Sequence, residues 1–88
     1  MRKMVNVVGV GKRKSGVSKA GNPYDFTPVA ISFEDPARYD KGYRVTEVNA
    51  NTEELHRAAP QGLNPGDCLE VVMHEDFRRG GFVLDAII

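Results

Sequence analysis

The sequence predicts an all-β domain with one short helix. Its apolar residues fall in short runs or alternate with polar residues, which is the pattern of strands. Glycine, proline and asparagine separate these segments, and only one stretch has the start and stop signals of a helix. The chain of 88 residues is long enough for one small hydrophobic core, so we expect residues 1–88 to form a single domain.

Two strands are predicted before residue 34. KMVNVVGV, residues 3–10, is almost continuously apolar, which is typical of a strand buried on both faces. YDFTPVAISF, residues 24–33, alternates, and its core face should hold Val29, Ile31 and Phe33. This alternation leaves Phe26 pointing away from the core, beside the tyrosine that opens the segment. Because Pro28 has no N–H to donate, the second strand should lie at a sheet edge or contain a bulge.

A third strand, GYRVTEV, precedes the one predicted helix. NTEELHRAAP has Asn51 at the N-cap and Glu54 three residues later, which is the spacing of a capping box. Acidic residues fill the first turn, Arg57 lies near the end, and Pro60 stops the helix. We therefore expect a helix over about residues 52–59.

The last third of the chain predicts two strands joined by a hairpin. LNPGDCLEVVM begins with a Pro-Gly turn and continues as a strand whose inward side chains should be Leu69, Val71 and Met73. HEDFRRGG predicts a polar hairpin over about residues 74–82, and FVLDAII forms the last strand. The element order is that of the five-stranded OB-fold barrel, with the short helix between strands 3 and 4. Such barrels commonly bind single strands of nucleic acid.

Charge is unevenly distributed along a chain whose formal net charge is zero at pH 7. Residues 1–24 carry six cations and no acid, whereas residues 25–88 carry six cations and all twelve acids. This asymmetry indicates an anionic ligand that meets one part of the surface. A solvated basic loop would give the same pattern, so charge alone does not identify the ligand.

The N-terminal segment and the single cysteine bear on where the protein works. The apolar stretch MVNVVGVG is too short to span a bilayer, and no small-residue cleavage site follows it. Cys68 is the only cysteine, which excludes an intrachain disulfide and fits a reducing cytoplasm. We expect a soluble protein that keeps its N-terminus and has no membrane partner.

Motifs for catalysis and for metal binding are incomplete. The segment that ends in Gly11 and Lys12 departs from a phosphate-binding loop at two positions. Gly9 and Gly11 lack the third glycine of a dinucleotide fingerprint. The His-Glu-Asp run at residues 74–76 would point its side chains in alternating directions on an extended chain. We therefore expect no enzyme, cofactor, bound metal or small-molecule substrate.

One stretch combines the two features that single-stranded nucleic acids require. Phosphates need lysine and arginine, and unpaired bases need flat rings, worth roughly 1 to 3 kcal/mol per base. The candidate phosphate ligands are Lys12, Arg13, Lys14 and Lys19, and the candidate rings are Tyr24 and Phe26. Glycine and proline residues between them allow a two-stranded projection to bend around a ligand. Taken separately, the cations fit an ordinary loop and Phe26 fits a core residue.

The segment KSGVSKAGNPYDF resembles the DNA-binding wing of the gene-five-type single-stranded-DNA-binding proteins of filamentous phages (inoviruses). The spacing of Ser-Gly-Val-Ser, a basic residue, Gly and Pro-Tyr is similar in both. A looser similarity lies in NPGDCLEVVMHEDFRRGGFVLDAI, which follows the family's Pro-Gly turn, strand, Phe-containing hairpin and last strand. The segment from about residue 34 to residue 60 aligns poorly.

The resemblance implies a homodimeric OB-type protein with a protruding β-hairpin wing at about residues 12–30. It also implies a helix-destabilising protein that coats phage DNA single strands cooperatively and largely independently of sequence. This coating takes place in the host cytoplasm, during viral DNA replication and before packaging. Some messenger RNA is a further ligand of the family. Matching this sequence to the family by position implies further DNA contacts outside the wing, at Tyr39, Tyr43, Arg44, Phe77, Arg78 and Arg79. The last two would replace arginines that the family carries in its final strand.

The sequence therefore predicts a non-enzymatic binder of single-stranded DNA, with RNA as a second candidate ligand. An alternative is a small β-barrel adaptor that binds an acidic protein partner through the same basic arm, which the balanced net charge favours. Competition by an oligonucleotide distinguishes the two. A hydrolase is a more distant alternative and would require a chelator-sensitive activity.

Overall fold

The computed structural model describes residues 1–78 and 80–88 and shows a mostly β chain with one short helix, as the sequence predicts. Its strands are β1 (Arg2–Val10), β2 (Lys14–Val17), β3 (Pro23–Glu34), β4 (Tyr43–Asn51), β5 (Cys68–Asp76) and β6 (Gly81–Ile87). The helix α1 (Thr52–Ala58) follows β4 directly. All of the strand pairings are antiparallel, in the order β2-β3-β1-β5-β6, with β4 on the other edge of β3.

Within the described residues the sheet has six strands, where the sequence predicts a five-stranded barrel. The additional strand is the short β2, which pairs with the beginning of β3. The sheet curls until its two ends, β4 and β6, approach within 8 Å between Cα atoms. Among the described residues no ladder joins these two strands, so the strand pairing does not close into a barrel.

One hydrophobic core fills the inside of the curled sheet. Its buried members are Val5, Val7, Val29, Ile31, Phe33, Val48, Ala50, Val71, Met73, Phe82 and Ile87. The predicted core faces of β3 and β5 are thus confirmed, with Leu69 partly buried against the same cluster. Leu55 packs against the core from α1 and is likewise only partly buried.

The predicted burial of β1 on both faces is wrong. Val5 and Val7 are buried, whereas Met4 and Val8 are 61% and 50% exposed. The sheet wraps around a single core, and a single core covers only one face of each strand. The apolar run therefore leaves an exposed apolar strip on the outer face of β1.

Of the two alternatives predicted for Pro28, an edge strand is wrong because β3 is central, and the ladder between β3 and β4 passes through Pro28 without a bulge. Residues 26–34 of β3 pair with β4 on one side, and β2 and β1 share the other side. Along β3, Pro28 lies between the residues that pair with β2 and the residues that pair with β1. Residues 11–13, which connect β1 to β2, belong to neither strand, so no ladder N–H is required from Pro28. The break is closely packed, since a Cβ on Gly11 would lie 2.8 Å from Pro28 Cγ.

The helix is confirmed, but only the Asn51 half of the predicted capping box is formed. The Asn51 side chain accepts a hydrogen bond from the Glu54 N–H at 3.2 Å, as an N-cap should. A capping box would place the Glu54 carboxylate on the Asn51 N–H, but this carboxylate accepts from the Ile87 N–H. Glu54 thereby ties the helix to the last strand.

The described residues include no helix with the length and apolarity needed to cross a bilayer.

Candidate nucleic-acid interface

The wing begins as a two-stranded hairpin at the margin of the sheet. The four residues of β2 pair with the first four residues of β3, and β2 has no second neighbouring strand in the described part of the chain. Ser18 closes the connecting turn, because its N–H donates to the Asn22 carbonyl at 2.8 Å and its carbonyl accepts from the Gly21 N–H at 2.9 Å. Gly21 has φ of 84°, a conformation that favours glycine. Residues 11–24 are all exposed.

The hairpin has two chemically different faces, because side chains alternate along each strand. One face, called here the ring face, consists of two cross-strand pairs, Lys14 with Phe26 and Gly16 with Tyr24. The other, called here the acid face, contains Ser15 paired with Asp25. The ring face thus brings a lysine beside two aromatic side chains, as the sequence predicts for a nucleic-acid contact.

Tyr24 and Phe26 form one continuous surface. Tyr24 is 43% exposed and Phe26 is half-buried, and their ring centroids lie 6.0 Å apart with 39° between the ring planes. A base held between two rings would need parallel planes about 7 Å apart, which is twice the contact distance between carbon atoms. These rings are too close and too tilted for that arrangement. A base can stack only on their solvent-facing side.

Three wing lysines carry uncompensated charge. Lys12, Lys14 and Lys19 are exposed, and none of them forms an ion pair with any residue that the structure describes. Lys14 is on the ring face, Lys19 lies in the turn, and Lys12 lies at the break before β2. An anionic ligand can therefore bind these lysines without breaking an existing ion pair.

Arg13 differs from these lysines because it is already paired. Its Nε donates to Asp25 Oδ1 at 2.8 Å, and a second guanidinium nitrogen donates to Oδ2. Thr52, the first residue of α1, donates its hydroxyl to Asp25 Oδ1 at 2.6 Å. The hydrogen bond from Arg13, followed by that from Thr52, lowers the pKa of Asp25 to about 2, so this carboxylate is charged at neutral pH. Arg13 and Asp25 thus attach the base of the wing to the helix.

The late hairpin presents a second exposed ring. β5 extends to Asp76, so the turn begins at Phe77, later than the polar sequence predicts. Phe77 is 85% exposed, and the Arg78 N–H donates to Asp76 Oδ1 at 3.0 Å. The predicted contact Arg79 lies outside the described residues. An aromatic ring and at least one cation therefore meet at this turn.

Arg44 is held within the fold. Its Nη1 lies 3.5 Å from a carboxylate oxygen of Asp35 and 3.5 Å from one of Glu75. Its guanidinium carbon lies 4.5 Å from the ring centroid of Phe82, which is a cation–π contact. Only 15% of the side chain is exposed. Arg44 therefore joins β4 to β5 and β6, and it has little charge to offer a phosphate.

The two mid-chain tyrosines lie in a surrounding of mixed charge. Tyr39 and Tyr43 are 41% and 57% exposed and line one shallow cavity of about 370 Å³. The charged residues lining the same cavity are Glu34, Asp35, Asp40 and Lys41. Arg38 lies 6.0 Å from the centroid of the Tyr39 ring, and Arg44 pairs with Asp35, so cations and carboxylates are nearly balanced around these rings. The ring face, where Lys14 has no carboxylate in ion-pair contact among the described residues, is better suited to a phosphate-linked ligand.

The wing and the late hairpin lie at opposite ends of β3. The wing contains Phe26, whereas Phe33 packs edge-on against Phe82 of the late hairpin, with ring centroids 5.4 Å apart. Phe33 lies seven positions after Phe26 along the strand, a distance of about 23 Å. One nucleotide therefore cannot contact both groups of rings within one chain.

Two residues at the base of the wing, Asp25 and Thr52, were not predicted from the sequence. The basic segment ends at residue 24, directly before Asp25, and the hairpin pairing then brings this acid back beside Arg13. The expected pairing of the two hairpin strands was therefore the sequence signal that could have identified Asp25 as the partner of Arg13. Thr52 reaches Asp25 through the pairing of β3 with β4, a register that local patterns do not fix.

The described residues contain no candidate metal site, and the chain has no match among the proteins with which it was compared. The residues described contain no group of three or more His, Cys, Asp or Glu side chains that could hold a metal ion. No protein-family model matches the chain, and comparison with curated proteins and with solved structures finds no match either.

Proposed function

We propose that this protein binds single-stranded DNA without strong sequence preference and is not an enzyme. The observation that carries the proposal is the ring face, where Lys14 lies beside Tyr24 and Phe26 on an exposed hairpin. The lysines bind phosphates through charge, and the rings stack on unpaired bases. Duplex DNA is a poor ligand because its bases are already stacked. RNA single strands offer the same chemistry and are a second candidate ligand.

The resemblance to gene-five-type proteins extends this proposal to a biological role. The chain coats phage DNA single strands cooperatively in the host cytoplasm, during replication and before packaging. We infer that its strands other than β2 are arranged as in an OB fold, with packing between β4 and β6 in place of a closing ladder. The close approach of these strands and the position of α1 after β4 support this reading. Tyr39, Tyr43, Phe77, Arg78 and Arg79 are proposed as further contacts.

Titration with single strands and with duplex tests the proposal directly. The three tyrosines can be followed by their own emission, because the chain has no tryptophan. We expect poly(dT) to quench this emission strongly, duplex DNA to quench it weakly, and added salt to reverse the quenching. No response to either nucleic acid would contradict the proposal and would direct attention to an acidic protein partner.

Replacing Lys19 with alanine should weaken the salt dependence of binding. Each lost phosphate contact lowers the slope of log K against log salt by roughly one. Lys19 lies exposed in the wing turn, so its loss should leave folding unchanged. Lys41→Ala is the matched control, because Lys41 is also exposed but lies outside the wing, in the loop between β3 and β4. Equal slopes for wild type and Lys19→Ala would remove Lys19 from the interface.

Dimerisation is part of the same proposal. A small core leaves an 88-residue chain near the lower limit of stability, and burying an apolar strip on a second copy would add to it. Met4, Val8 and Val45 are exposed apolar side chains of the outer strand faces. Sedimentation at micromolar concentration should therefore give twice the chain mass of 9.7 kDa. A mass of one chain would contradict dimerisation.

A further inference from the structure

Tyr24 lies across the bare backbone of Gly16. The two residues are directly opposite each other in the ladder between β2 and β3. A Cβ atom built on Gly16 would lie 2.8 Å from Tyr24 Oη, 3.1 Å from Cζ and 3.4 Å from Cε1. The outer end of the phenol ring therefore occupies the space that any other residue at position 16 would fill.

Backbone conformation does not explain glycine at this position. Gly16 is part of a regular strand and does not have positive φ, in contrast to Gly21 in the adjoining turn. Glycine in a strand is unfavourable unless another group must approach closely. At Gly16 the approaching group is the ring of Tyr24.

We propose that Gly16 is a positioning residue that makes Tyr24 a one-sided stacking platform. The outer end of the ring lies against the bare backbone of Gly16, and 43% of the residue remains exposed to solvent. A flexible tyrosine would instead adopt several rotamers, and ordering it on binding would cost affinity. The importance of Gly16 for DNA binding rests on the proposed function, whereas its control of the ring does not.

A side chain at position 16 would act on the ring and leave the fold intact. The atoms that a Cβ would meet belong to the far end of the Tyr24 side chain, which can rotate away. Alanine is compatible with the backbone conformation of Gly16. Gly16→Ala should therefore yield a folded protein in which Tyr24 has left its place.

Proton NMR of the free protein tests the placement of the ring without any ligand. The Gly16 Hα protons lie against the phenol ring, so they should show a ring-current shift. That shift should disappear in Tyr24→Leu, with the resonances of the distant strands unchanged. Identical Gly16 Hα shifts in wild type and in Tyr24→Leu would overturn the proposal.

Binding to a fluorescein-labelled oligo(dT), followed by anisotropy, tests the consequence for DNA. Gly16→Ala should weaken binding about fivefold, which corresponds to the lower end of the stacking energy of one base. The control is Gly9→Ala, whose new Cβ would meet only Ala30 Cβ, at an ordinary 4.0 Å. The control should bind like wild type.

A double-mutant cycle separates positioning from other effects. In a Tyr24→Ala background, Gly16→Ala should have no further effect, because there is no ring left to position. An undiminished loss in that background would overturn the proposal. If Tyr24→Ala itself leaves binding unchanged, the proposed function of the wing is wrong, and the Gly16 Hα shift still decides whether glycine holds the ring.

Discussion

Replacing Tyr24 with alanine should weaken binding to oligo(dT) by about 5-fold to 150-fold. This range corresponds to roughly 1 to 3 kcal/mol, the loss of one base stacked on one ring. Tyr24 is the more exposed of the two rings on the ring face, and Phe26 is half-buried beside it. Anisotropy of a labelled oligonucleotide is the suitable measurement, because the substitution also removes one of the three tyrosine emitters.

Two further variants make this result specific. Tyr24→Phe keeps the ring and should bind within about twofold of wild type, since stacking does not need the hydroxyl group. Tyr39→Ala removes a tyrosine of similar exposure that lies outside the wing, and it should cost less than Tyr24→Ala. Wild-type affinity for Tyr24→Ala, or a larger loss in Tyr39→Ala, would place the base contacts elsewhere.

The features predictable from the sequence are those that depend on local patterns. Alternation fixes which residues of a strand share a face, and this gave the buried positions Val29, Ile31 and Phe33. The N-cap of the helix depends on residues three apart, and Asn51 does accept from the Glu54 N–H. The proximity of Lys14 to the two rings of the wing is also a local feature, because a short turn joins β2 to β3.

The features that were missed depend on which strands become neighbours. The apolar run of β1 carries no information about whether one or both faces will be covered, and Met4 remains exposed. Pro28 is compatible with a central strand only because the neighbouring chain breaks at residues 11–13. Arg44 resembles a free cation in the sequence, but folding brings Asp35 and Glu75 to it. Each outcome was decided by contacts between distant parts of the chain.

The candidate contacts separate into two groups for the same reason. The wing lysines and rings are brought together within one hairpin, whereas Phe77 lies at the far end of β3. Arg13 is committed to Asp25, and using it on a phosphate would require breaking that pair. The wing therefore combines two rings with lysines that form no ion pair among the described residues, whereas the late hairpin offers the single ring of Phe77 beside Arg78.

Phe82→Ala should destabilise the protein by about 3 to 5 kcal/mol, as for other large aromatic residues removed from a core. Among the described residues no ladder joins β4 to β6, and a cleft of about 250 Å³ lies between them. Phe82 bridges this gap, because its ring packs edge-on against Phe33 of β3 and lies under the guanidinium of Arg44 in β4. Side-chain packing therefore replaces backbone hydrogen bonds at this junction.

The size of that loss is a test of how the two ends of the sheet are held together. Small domains have a total stability of about 5 to 15 kcal/mol, so urea unfolding followed by circular dichroism should show a much lower midpoint for Phe82→Ala. Phe77→Ala is the matched control, because it removes the same side chain from a site that is 85% exposed in the same hairpin. It should change stability by less than about 0.5 kcal/mol. Similar midpoints for both variants would show that contacts other than Phe82 close the gap between β4 and β6.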